Sequence, residues 1–391
     1  MDIYEVLNLI DSKLEALNFT KKISLRDALG QVLATDIVAT KDLPAFDNSA
    51  MDGYAFRYED LHSKKIKVLG TIFAGDMTLY EIKENESYKI MTGAMMPKGS
   101  DTIIEIENSE VVGGFLQINK EVKKDNAHRQ RGEEIKSGEI ILKKGDKLTP
   151  SKLMLLASQG VDEIEVKELP KIAIYSTGNE IVEPWQRALE YQIYNSNSTG
   201  IYQLLKQSGF NATYRGIIKD DIKSIKKALN NDESITITSG GASVGEADYM
   251  QEALKELGYS KFFDGIAVRP GRPTKIYRKN DKYIIVLPGN PMAAYLIAFA
   301  VIIPFLKKLS GCSDIFWTKF RAKATENISL KPTRSNLVLG VLKDGKFTTI
   351  NGNKFGSGMI KPIVMANALY LSPIGKNGYF IDEELEVLSI Y

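Results

Sequence analysis

Between Lys171 and Leu309 strand-like runs alternate with helix-like ones, and no other feature limits the possible folds as much. β-Branched and apolar runs fall at Lys171–Ser176, Ala212–Ile218, 235–238, Lys275–Arg278 and Tyr283–Leu287. Helical spacing marks Ser198–Gln207, Ile222–Asn230, Tyr249–Leu257 and Pro291–Leu309. Strands joined through helices of roughly ten residues build a parallel sheet with helices on both faces. Ligands of such sheets sit outside the carboxyl ends of the strands. Polar clusters recur there: Thr177–Glu180, Asp220-Asp221, Ser239–Asp248 and Pro288-Gly-Asn-Pro291. One cluster is noise; four at one edge predict a site.

The richest of these follows the strand that opens at Ile235. Ser239, Gly240, Gly241, Ser243 and Gly245 make a turn whose glycines let a ligand approach free N–H groups, and a helix is expected to begin at Asp248. Asp248 taken by itself reads first as an ordinary N-cap. Arg269-Pro-Gly-Arg272-Pro sets two guanidiniums three residues apart on a stiff backbone. Those guanidiniums stay charged at any accessible pH.

Outside this region the pattern changes. Residues 3–17 carry apolar side chains at helical steps, and Ser24 with Asp27 predicts a second helix running to Leu33. The segment from Asp42 to Arg57 has no period and mixes acids with Phe46, Met51, Tyr54 and Phe56, so a docked loop is expected. Residues 64–123 read as a small inserted β domain, Thr149-Pro150 opens a helix to Ser158, and residues after 314 read as a small all-β domain. Asp344-Gly345 marks a hairpin turn there.

Charge excludes some functions. Fifty-one basic against 49 acidic residues argue against binding nucleic acid through bulk charge. One cysteine, Cys312, forbids an intrachain disulfide framework, and with only His62 and His128 a structural zinc site is close to excluded. The apolar run Met292–Phe305 falls short of the roughly 20 residues of a membrane span and contains Pro304, so a buried helix and no membrane partner are expected. No secretory signal is read at the N-terminus, which points to the cytoplasm.

The candidate site thus holds acids (Asp52, Glu180, Asp220, Asp248), Arg269 and Arg272, hydroxyls (Thr92, Ser239, Ser243) and glycine turns, with no histidine, no thiol and no nucleophile elbow. Those are the parts of phosphate chemistry, in which carboxylates hold Mg²⁺ and arginines neutralise oxyanions.

Seven stretches, in order, resemble the MoeA-type molybdopterin molybdenumtransferases, the family that includes the E domain of gephyrin. They are Phe46-Asp-Asn-Ser-Ala-Met-Asp-Gly-Tyr-Ala, Ile90-Met-Thr-Gly-Ala, Arg131-Gly-Glu-Glu, Ser176-Thr-Gly-Asn-Glu, Thr238-Ser-Gly-Gly-Ala-Ser-Val-Gly-Glu-Ala-Asp-Tyr, Val268-Arg-Pro-Gly-Arg-Pro and Leu287-Pro-Gly-Asn-Pro. The resemblance implies insertion of molybdate into adenylylated molybdopterin with release of AMP, Mg²⁺ as cofactor, and a homodimer whose sites draw on both subunits. It allows the upstream adenylyltransferase as a partner. It also implies four domains. These are a molybdopterin-binding-like α/β domain at 1–20 and 171–311, a linking domain at 21–43 and 138–170, an inserted β lid at 44–137, and a C-terminal barrel-like β domain at 312–391.

By position, Glu180, Asp220 and Asp248 line the pterin-nucleotide pocket, with Asp248 and Asp220 on the metal side. Ser239, Gly240, Gly241, Ser243, Arg269 and Arg272 form its anion-binding wall, and Pro288 and Pro291 shape the neighbouring loop. Asp52, Thr92 and Glu134 come from the lid, while Arg334 and Ser357 help hold molybdate. Two departures stand out: Glu134 occupies a position where the family commonly has Asp, and arginines stand at 269 and 272 where relatives often carry lysines. Two other functions fit parts of the pattern, an adenylyltransferase acting on molybdopterin and a gephyrin-like scaffold.

Overall fold

The computed structural model describes residues 1–241 and 247–390, with the backbone alone at 247 and 248. The chain divides into two units, one made of Met1–Ala34, Gly145–Thr149 and the chain from Glu163 onward, the other of Thr35–Lys144 and Pro150–Asp162.

In the first unit the alternating region folds as β1 (Ile172–Thr177), α1 (Asn197–Gln207), β2 (Ala212–Ile218), α2 (Ile222–Leu229), β3 (Ile235–Ser239), α3 (Ala247–Glu256), β4 (Ser260–Asp264), β5 (Lys275–Lys279) and β6 (Lys282–Leu287). The sheet order is β2-β1-β3-β6-β5-β4. The first four strands are parallel, as expected, and β5 and β4 extend the sheet antiparallel. Asn280 takes φ +52° in the β5–β6 turn, which is too short to allow a parallel crossover. Successive crossovers leave β1 on opposite sides, so the switch point of the sheet lies between β1 and β3.

The helical run Pro291–Leu309 (α4) covers one face. At 19 residues, the extent expected from the sequence, it is long and apolar enough for a membrane span, yet 83% of its most apolar window is buried in the fold. A five-residue π segment, Ala298–Ile302, precedes Pro304, which has no N–H to continue the regular ladder. The N-terminal helix Ile3–Lys13 packs Ile3, Val6 and Ile10 into the same core. Asp2 and Glu5 cap it reciprocally, and it ends four residues before Leu17.

C-terminal strands β7 (Lys319–Ala324), β8 (Ser335–Lys343), β9 (Lys346–Thr349), β10 (Ala368–Leu371) and β11 (Glu384–Ser389) close into a barrel. Their order is β8-β9-β7-β11-β10, and β10 pairs back onto β8. Asp344 and Gly345, at φ +51° and +71°, make the expected two-residue turn.

The second unit is built on a six-stranded sheet in the order Thr102–Glu105, Gly53–Phe56, Glu86–Ile90, Ile66–Ile72, Phe115–Ile118, Ser109–Val112. Two sequence expectations change here and in the first unit. The Asp42–Arg57 segment is not all loop, since Gly53–Phe56 is a fully buried strand with partners on both sides. Its length and lack of alternation hid it, because a strand covered on both faces need not alternate. The helix expected from Ser24 to Leu33 is a single 3₁₀ turn, Leu25–Asp27, capped by Ser24. Ala28 caps its end, Gly30 follows at φ +76°, and Val32 and Leu33 instead bridge to Lys147 and Val166.

Candidate active site

The parallel strands bring the polar clusters to one edge, where three of the four line one pocket and Asp220-Asp221 stands outside its lining. Thr177 and Glu180 after β1, Ser239, Gly240 and Gly241 after β3, and Pro288–Pro291 after β6 line a pocket of about 650 Å³. Its place is the switch point between β1 and β3, where an open α/β sheet binds ligands. Asn197, at the start of α1, ties two of these loops together. Its Nδ2 donates to Ser239 Oγ at 2.8 Å and to the Gly289 carbonyl at 2.7 Å. Ser239 Oγ in turn reaches the Pro288 carbonyl at 3.5 Å. Gly240, at φ +104°, lies so close to β1 that a Cβ there would stand 2.4 Å from Thr177 Oγ1.

Beneath the pocket runs a polar chain. Ser176 Oγ donates to Asn195 Oδ1 at 2.8 Å, Asn195 Nδ2 donates to the Tyr214 hydroxyl at 2.7 Å, and that hydroxyl donates to Glu183. Burial and the Glu183 carboxylate push the Tyr214 hydroxyl far up, so it stays a proton donor. A satisfied buried network of this kind fixes the strand end from below.

Adjacent aspartates after β2 divide two tasks. Asp221 caps α2, accepting from Ser224 N at 2.8 Å and Ser224 Oγ at 2.6 Å. Asp220 turns to the β1 loop, where its Oδ2 accepts from Asn179 N at 3.1 Å. Partial burial, opposed by that hydrogen bond and reinforced by the Glu180 and Asp221 charges, raises the Asp220 carboxyl above its ordinary value. Glu180 itself is exposed.

A second cavity, of about 680 Å³, adjoins the first and shares Pro273, Pro288 and Asn290 with it. Arg269, Arg272, Lys331 and Arg334 line it, and among the described residues no carboxylate does. Among the described residues none of the four lies within ion-pair distance of an acid. Pairing of Val268–Arg269 with Ser335–Asn336 brings the two cation pairs together. Gly271, at φ +119°, is required there, since a Cβ would meet Ile297 Cγ1 at 2.3 Å. Ser357 completes the wall, accepting from Asn290 Nδ2 at 2.9 Å. Unbalanced cations around a cavity are a ready oxyanion site.

Asp52, Thr92 and Glu134 belong to the second unit. Thr92 N and Oγ1 each donate to Asp52 Oδ1 at 2.7 Å, and both bonds hold the Asp52 carboxyl below the usual carboxylate range. Glu134 lies 3.6 Å from Arg129, whose Nε is engaged by Glu133 at 2.8 Å. Asp248 is the second residue of α3 and not the residue before it, which removes the N-cap reading. Its side chain, and Ser243 entirely, lie outside the described residues.

Sequence reasoning missed Lys331 and Asn197, and named Asn290 only as part of the Pro288-Gly-Asn-Pro291 cluster. A signal for the first was present: Lys331-Pro-Thr-Arg334 repeats the cation–Pro–x–Arg spacing of Arg269-Pro-Gly-Arg272.

Residues 1–160 match the family model of the MoeA N-terminal region (domains I and II), and residues 173–308 match that of a probable molybdopterin binding domain. Molybdopterin molybdenumtransferase of Haemophilus influenzae is 35% identical over 317 residues, which cover 79% of this chain and 78% of that protein. The Staphylococcus aureus (strain Mu50) protein of the same name is 30% identical over 378 residues, 94% of this chain and 90% of its own. The crystal structure of the molybdopterin biosynthesis MoeA protein from Pyrococcus horikoshii OT3 superposes with a TM-score of 0.84 at 26% identity, covering 100% of this chain and 99% of that one. With two adjoining pockets at the sheet edge and this likeness along its whole length, the chain belongs to the MoeA family of molybdopterin molybdenumtransferases.

Proposed function

We propose that the protein is a molybdopterin molybdenumtransferase, which inserts molybdate into adenylylated molybdopterin and releases AMP in molybdenum cofactor biosynthesis. One observation carries this reading: a cation-lined cavity opens directly beside the switch-point pocket and shares three residues with it. The first pocket suits a pterin nucleotide, with its phosphates against Gly240 and Gly241; the second suits a tetrahedral dianion. In this arrangement Arg269, Arg272, Lys331 and Arg334 hold molybdate, and Asn290 with Ser357 fixes the rim between the two ligands. Release of AMP expels the adenylyl group from the strand-end pocket. An adenylyltransferase would have no use for the second cavity, and a scaffold no use for either.

Mg²⁺ is the proposed cofactor. Among the described residues no three His, Cys, Asp or Glu side chains gather to hold a metal alone. Mg²⁺ bound through one or two carboxylates and substrate phosphates needs no such cluster. Asp220, partly buried, crowded by the Glu180 and Asp221 charges and in no ion pair among the described residues, fits that half-site, and Asp248 is the further ligand proposed. When bound, the ion neutralises charge on the phosphoanhydride.

The decisive measurement incubates the purified protein with adenylylated molybdopterin, Mg²⁺ and molybdate. AMP release that depends on molybdate is expected; product formed from ATP and molybdopterin alone would overturn the assignment.

A homodimer with shared sites is also proposed, in which Asp52 and Thr92 serve the partner's pocket. Exposed Phe73, Met77 and Leu79 support it, since they follow the Ile72 strand end to which Met91 N bonds at 3.0 Å beside Thr92. Asp52→Asn and Asp220→Asn proteins, each inactive alone, are expected to regain activity when re-dimerised together, because one site of the mixed dimer is then intact. Verified mixed dimers without activity would show that each site is built within one chain.

A further inference from the structure

The strand-end hydroxyls of the switch-point pocket are not equivalent. Ser176 Oγ is satisfied by Asn195, and Ser239 Oγ by Asn197 and the Pro288 carbonyl. Thr177, the last residue of β1, is 5% exposed, yet its Oγ1 has no hydrogen-bond partner among the described residues. Of the buried side-chain atoms in that condition among the described residues, it is the one on the wall of this pocket. A buried hydroxyl left without a partner lowers stability, and a valine of the same shape would avoid the loss. The backbone opposite it belongs to Gly240, whose missing Cβ would stand 2.4 Å from Thr177 Oγ1 and 2.5 Å from the Thr177 carbonyl. Any side chain at 240 would crowd this hydroxyl, and Gly241 is the next wall residue.

We infer that Thr177 is a further substrate-contacting residue. Its Oγ1–H is donated to an anionic phosphate oxygen of the adenylylated pterin when that ligand fills the pocket, an assignment that rests on the molybdenumtransferase reading above. The unsatisfied donor of the free protein is then a preformed half of a ligand bond. Thr177 adds a side-chain donor at the end of β1 to the backbone of the glycine turn, and the bond is charge-assisted.

Two variants test this with adenylylated molybdopterin and Mg²⁺ in the absence of molybdate, so that binding is read without turnover. Thr177→Val removes the hydroxyl and keeps the shape; Thr177→Ser keeps the hydroxyl. Titration calorimetry is expected to show Kd raised about tenfold in T177V and less than about threefold in T177S. The ligand-free T177V protein is expected to melt at the wild-type temperature or above it, since no native bond is lost. Wild-type affinity in T177V would overturn the inference. So would a T177V protein that melts several degrees lower, because the hydroxyl would then have a structural partner. Wild-type protein that fails to bind the adenylylated pterin would instead overturn the functional reading on which the inference rests.

Discussion

Replacing Arg269 and Arg272 together by glutamine is expected to raise the KM for molybdate about 100-fold while leaving the melting temperature within a degree or two. Each arginine offers a charge-assisted donor pair to an oxyanion, worth about 1.5–3 kcal/mol where the site excludes water, so two together allow a factor of about 10² or more. Lys331 and Arg334 remain in the cavity wall, which sets the expectation at the lower end of that range. Stability should hold because both guanidiniums are exposed and neither is near an acid among the described residues. Lysine at both positions keeps the charge and loses the planar fork, so a smaller rise is expected. Steady-state AMP release across a molybdate series reads the effect. A KM within twofold of wild type in the glutamine protein would remove the cavity from oxyanion binding.

The same cavity marks how far the sequence could be read. The strand ends and their four polar clusters were legible, because alternation of strand and helix dictates parallel order and parallel order collects carboxyl ends on one edge. The Lys331–Arg334 pair was not placed beside Arg269–Arg272. Their meeting depends on a two-residue ladder, Val268–Arg269 against Ser335–Asn336, that spans more than 60 residues and has no local signature. Local spacing likewise left Asp220 and Asp221 interchangeable. Only the closed turn shows Asp221 spent on the cap and Asp220 aimed at the β1 loop. The buried Gly53–Phe56 strand was hidden for a third reason: four residues covered on both sides carry no alternation to detect. Helix starts inferred from a capping box failed at Ser24 because the backbone found better partners in Lys147 and Val166.

Asp220→Asn separates chemistry from stability most sharply. The change keeps volume, and an amide oxygen can still accept from Asn179 N, so the bond between the loops after β1 and β2 should persist. What disappears is a negative charge held above its ordinary carboxyl value by partial burial and by the Glu180 and Asp221 charges. The sign of the linkage follows. A carboxyl raised in the folded state binds its proton more tightly there than in the unfolded chain. Stability is therefore greatest below the unfolded value near 3.8 and falls as pH rises through the higher folded value. At neutral pH the charge is thus a standing cost to the free protein, and Asp220→Asn is expected to melt at or slightly above the wild-type temperature. Turnover should move the opposite way. Asp220 would act through the Mg²⁺ it is proposed to hold, and losing one contribution to stabilising developing phosphate charge typically costs about 10²- to 10³-fold in kcat. A structural aspartate would give the reverse pattern, lower melting temperature with little change in kcat. Measured together, thermal unfolding at pH 7 and molybdate-dependent AMP release distinguish the two. A variant with wild-type kcat would exclude Asp220 from the reaction however its stability moved, and the strain around this carboxylate would then need an origin other than the ligand it is proposed to hold.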